Sequence, residues 1–123
     1  MKTRFEWLAA AGLACALLVA GPVRAAEPLV VTGKHWTSAS TEQKKAFLIG
    51  AVSVVNVEHE FQGDKLPKSR KSAIPTLYKG LAGMTFPQLE QAIDAYYAGK
   101  PDALGTPVLH VMWDIALANT KAQ

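Results

Sequence analysis

Between Ser40 and Phe61 the chain is apolar in almost every helical direction. Turned at about 100° per residue, Glu42, Ser53, Asn56 and Glu60 share one narrow stripe interrupted only by Ile49, and most of the remaining circumference is apolar. That pattern predicts one helix over about 41–61. Ser40 followed three residues later by Gln43 is the capping-box signature at its start, and Gly63 suits the left-handed turn that follows a last helical turn. A helix apolar on so many sides needs cover on several of them, which makes this segment the expected centre of a small helical domain.

Three more helices follow from the same signals. Ala73 or Ile74 to Ala82 carries Pro75 in a first turn, where proline is tolerated, and Gly83 closes it. Thr85 and Gln88 repeat the capping box for a helix over 86–98, ended by Gly99 and Pro101. On it Phe86, Leu89, Ala92, Ile93, Tyr96 and Tyr97 fall within an arc of about 140°, with Glu90, Gln91 and Asp94 opposite. Thr106 as cap and Pro107 at the first helical position open the last helix, over 107–119. It is apolar in nearly every direction except a strip holding His110 and Asp114. The fold class that results is an all-α, compact four-helix domain, with the first and last helices central and in contact. Ahead of them, Glu27 to Trp36 is predicted as an extended lead-in, because Pro28 and Gly33 oppose helix and Leu29, Val30 and Val31 favour an extended run. Trp36 is its expected anchor, an apolar plug beside the start of the long helix.

The amino end changes the meaning of the overall charge. Lys2 and Arg4 precede an apolar run from Trp7 to Ala20, and Val23-Arg24-Ala25 places small residues where an exported chain is cut. This is the pattern of a signal peptide over 1–25, cleaved after Ala25 or Ala26, and it predicts a periplasmic or secreted protein. The run is about 14 residues, short of the roughly 20 needed to span a bilayer as a helix, so no stable membrane anchor is expected after cleavage. The whole chain has 13 basic and 10 acidic residues. The leader takes three basic residues and one acidic residue with it, leaving 10 against 9. That near-balance gives no electrostatic reason to expect a nucleic-acid partner, and none is expected. Residues 26–123 are enough for a single helical domain and contain no cysteine, so an apolar core has to hold it without a disulfide.

Among candidate chemical groups, Glu58 projects between Phe47 and Ala51, inside the apolar arc, where a carboxylate needs a donor or becomes neutral. Candidate partners are Lys79, Arg70 and the indole N–H of Trp36 or Trp113. Glu58, His59 and Glu60 are consecutive and therefore point about 100° apart, and the H-E-x-x-H pattern begun at His59 fails at Gly63. A metal site drawing His35, His59 and His110 together from separate segments is the remaining metal reading. His110 and Asp114 lie four apart, as neighbours on one helix face. No nucleophile elbow, phosphate loop or catalytic cysteine accompanies them. Lys65 to Lys71 forms a basic loop of four cations, and Trp36, Tyr96, Tyr97 and Trp113 are candidates for an aromatic ligand pocket between helices.

The stretches His35-Trp36-Thr37-Ser38-Ala39-Ser40, Lys44-Lys45-Ala46-Phe47-Leu48-Ile49-Gly50, Gly80-Leu81-Ala82-Gly83-Met84-Thr85, Ile93-Asp94-Ala95-Tyr96-Tyr97 and Pro107-Val108-Leu109-His110-Val111-Met112-Trp113 resemble small exported proteobacterial helical proteins. More distantly the chain is similar to the Rap/Tai family of periplasmic immunity proteins. That resemblance implies a helical periplasmic fold and a role in binding and neutralising a type VI secretion toxin. The functional expectation is an exported, non-catalytic protein-interaction module with no cofactor and no metal, its candidate binding residues being Glu58, His59, Trp36, Tyr96 and Tyr97. The rival expectation is a small periplasmic metal-binding protein or hydrolase using Glu58, His59 and His110.

Overall fold

The computed structural model describes residues 29–63 and 71–123; the leader with its cleavage site and all but the last residue of the basic loop at 65–71 lie outside them. The described residues form an all-α domain of five α-helices and one 3-10 turn. In chain order these are α1 (Gly33–Ser38), α2 (Thr41–Gln62), α3 (Ile74–Leu81), α4 (Phe86–Gly99), a 3-10 turn at Pro101–Ala103, and α5 (Val108–Lys121). No helix among them is long and apolar enough to cross a membrane.

The caps of the two middle helices follow the sequence. Ser40 Oγ accepts from the Gln43 amide while Gln43 Oε1 accepts from the Ser40 amide, at 3.2 and 2.9 Å. Thr85 and Gln88 repeat the exchange at 3.3 and 2.9 Å. These reciprocal bonds satisfy amides that a first helical turn leaves free. Gly63 ends α2 at φ +49°, a backbone angle that only glycine adopts without strain. Pro107, not Thr106, caps α5, one residue later than the sequence implies, in an extended conformation.

The lead-in differs from expectation. Instead of running extended to Trp36, the chain makes one bridge between Thr32 and Pro107 and then turns into α1. Gly33 starts that helix rather than opposing it. The amides of Gly33 and Lys34 donate to the carbonyls of Thr106 and Leu104, at 3.1 and 3.0 Å, so a distant loop satisfies the free donors of the first turn. Glycine is required there because the Tyr97 ring lies where a side chain would stand. Trp36 is buried as expected, edge-on to Phe47 at 6.2 Å beside the start of α2.

The core consists of Trp36, Leu48, Leu89, Ile93, Val108, Val111, Met112 and their neighbours, each fully buried aliphatic side chain contributing roughly 1.5–3 kcal/mol. Its centre is α5, whose Val108, Val111, Met112 and Ala116 are all buried. The main partner of α5 is α3, not α2. Gly80 on α3 meets the Ala116 backbone so closely that a Cβ there would lie 2.5 Å from Ala116 Cα, and Asn119 Nδ2 donates to the Gly80 carbonyl at 2.8 Å beside this crossing. Hence the two long apolar helices do not lie against each other as the sequence pattern implied. The short helix takes the place on α5, where Gly80 lets the two backbones meet at Ala116. α2 packs on α3 and α4 along one edge, with only Leu48 and Val55 buried.

Candidate functional site

The displacement of α2 from α5 opens a groove of about 870 Å³ between them, floored by Ala73, Ile74 and Leu77 at the start of α3. One wall is the amino half of α2, from Ala46 to Val55, and the other is Leu109, His110 and Trp113 of α5. Among the described residues, His110 is the one titratable side chain along it. Burial of apolar surface is the chemistry such a groove offers, not proton transfer or charge recognition.

The apolar surface continues beyond the groove along α2. Val54, Val57 and Phe61 are 66%, 51% and 80% exposed, and Leu109 on the facing wall is 55% exposed. A prediction from the sequence, that the apolar circumference of α2 is covered on several sides, is therefore overturned within one copy of the chain. Hydropathy reports which directions of a helix repel water but not which of them its own chain covers.

Each residue singled out from the sequence has a definite place. Glu58 is exposed, not buried, and accepts from Gln62 Nε2 at 2.6 Å one turn on. The apolar arc of α2 is wider than its covered arc, and Glu58 falls on the uncovered side. His59 is half-buried and stacks on Tyr78, the rings 3.7 Å apart. His110 and Asp114 are both exposed and form no ion pair; Lys44 with Asp94 is the ion pair found among the described residues. His35 Nδ1 accepts from the Thr32 amide at 3.1 Å, which gives it a capping role. No group of three or more His, Cys, Asp or Glu that could hold a metal is present among the described residues.

The aromatic candidates are not brought into one pocket. Trp36 and Tyr97 are core residues, 1% and 2% exposed. The Tyr97 hydroxyl donates to the Thr106 carbonyl at 2.8 Å, and burial, followed by the nearby Tyr96, raises its pKa above the usual 10.0. Tyr96 is half-buried, with its ring edge to face with Tyr97 and the Lys100 ammonium 4.4 Å from its centre. Of the four, only Trp113 lines the groove.

Two features escaped sequence reasoning. Asp94, assigned to the wet face of α4, accepts through one oxygen from Trp36 Nε1 at 2.7 Å and from Lys44 Nζ at 2.9 Å, tying α1, α2 and α4 together. Gly50 stands in mid-helix with open space where its Cβ would be. A glycine there costs about 1 kcal/mol of helix stability relative to alanine, which was the available signal that helix stability alone does not account for this residue.

Comparison with protein-family models, with curated proteins and with solved structures finds no match to this chain.

Proposed function

We propose that this is an exported protein that works by non-covalent association with other protein, its sharpest form being a periplasmic immunity-like role in which it binds and neutralises a secreted toxin. The observation that supports the reading most is the uncovered apolar face of α2 and its groove, lined almost wholly by apolar side chains. Exposed contiguous apolar surface of this kind marks a site of association. The leader pattern supports export, and the resemblance to the Rap/Tai proteins supports the toxin-directed version.

Two measurements test it. The chain recovered from periplasm should begin at Ala26 or Glu27 by intact mass. Deleting the gene should sensitise cells to sister cells that deliver type VI toxins, and export of the chain from a plasmid should restore survival. Unchanged survival, together with no stoichiometric partner in periplasmic extract, would overturn the reading.

A further inference from the structure

The exposed apolar residues of α2 form a ridge at helical spacing: Ala46, Gly50, Val54, Val57 and Phe61, all on its uncovered face. Size changes along the ridge. Its amino half is small, and Ala46 and Gly50 line the groove; its carboxyl half is large, and Val57 and Phe61 stand outside the groove in solvent. The hole and the knobs are thus on one helix, which is straight, proline-free and about 33 Å long. Phe61 cannot reach the groove of its own chain.

A second copy can. We infer that two copies pair through α2 in antiparallel orientation about a two-fold axis beside Val54, each inserting Val57 and Phe61 into the groove of the other, against Gly50 and Ala46. The register follows from the spacing. About a point midway between Ser53 and Val54, Phe61 and Ala46 lie equally far out, roughly 11 Å, and Val57 and Gly50 roughly 5 Å. Every large residue therefore meets a small one, and Val54 meets its own counterpart. Such an interface is isologous and closes on itself, so the same face is not left free for a third copy.

The area is of the right size. The ridge, with Leu109 and the groove walls, exposes on the order of 500 Å² of apolar surface per copy, close to the apolar share of the roughly 800 Å² that each partner contributes to a standard interface. The inference rests on the reading of this face as a protein-docking surface and names its occupant. A second copy seated there takes up the face that a foreign protein would otherwise use, so the two occupants compete for it.

The test uses residues 26–123, which contain no cysteine. Light scattering behind size exclusion should give twice the chain mass. Gly50→Leu adds a side chain at a position where a Cβ meets nothing within 4 Å, so it should keep the helical melt and weaken dimerisation at least tenfold. Phe61→Ser should weaken it likewise. Under mild oxidation Val54→Cys should form a disulfide-linked dimer, whereas Ala46→Cys should do so only when mixed with Phe61→Cys. A monomer at all concentrations, or a dimer indifferent to Gly50→Leu, overturns the inference. Self-linkage of Ala46→Cys shows a parallel pair and overturns it equally. A monomer that still captures a foreign partner removes the dimer and leaves the proposed function standing; a dimer with no foreign partner does the reverse.

Discussion

Asp94 shows how much one side chain can carry without appearing in any motif. Its oxygen is the acceptor for an otherwise buried indole N–H and the counter-charge for Lys44. Asp94→Ala should cost about 1–3 kcal/mol, since a buried donor left without an acceptor keeps its full desolvation penalty. Lys44→Met should cost less than about 1 kcal/mol, because the indole bond survives it and a partly solvated ion pair contributes little. Denaturant midpoints of the two variants decide the order. Tyr97 predicts a pH dependence. A phenol whose folded pKa is raised favours its protonated form in the folded state, so its contribution is complete below pH 10.0 and is lost as pH rises through the higher folded value. Tyr97→Phe should lower stability near neutral pH by about 1 kcal/mol, through the lost bond to Thr106, and flatten the alkaline decline measured by thermal melts. At this scale the sequence was informative about which aromatics are buried and silent about their partners. Trp36 and Asp94 are 58 positions apart, and no local period links them. Glu58 misled for the converse reason: its apolar neighbours in projection are not its neighbours in space.

At the scale of elements, the four longer helices and the caps of α2 and α4 were legible, because capping boxes, Gly63 and the apolar periods are local signals; the cap of α5 was placed one residue early. Which helix packs on which was not, since it turns on a single glycine. Gly80 and Gly50 are both helical glycines in apolar surroundings, yet they should behave oppositely. Gly80→Ala forces α3 off the Ala116 backbone and should lose about 1–3 kcal/mol, overpacking exceeding the gain in helix propensity. Gly50→Ala projects into open space and should be neutral or stabilising by up to about 1 kcal/mol. Far-UV circular dichroism melts of the two variants test the contrast. A similar response from both would mean that the α3 and α5 crossing is looser than described.

For the whole molecule, the apolar core has no covalent reinforcement within residues 26–123. The His and acidic side chains of the described residues are dispersed over separate partners. Thermal melts should therefore be unchanged by a chelator and by a reductant, and a shift of several degrees with the chelator alone would revive the metal-binding alternative. All-α class was readable from composition and period together. The groove was not, because a gap between helices is a property of their arrangement and leaves no periodic trace.

The seam at the amino end also sets an order of events. Lys34 donates to the carbonyl of Leu104, 70 positions later, and the Val31 carbonyl waits for the amide of Val108. A ribosome supplies the first of each pair long before the second, so α1 has no completed amino turn until most of the chain has emerged. The seam can therefore close only after the start of α5 has been made.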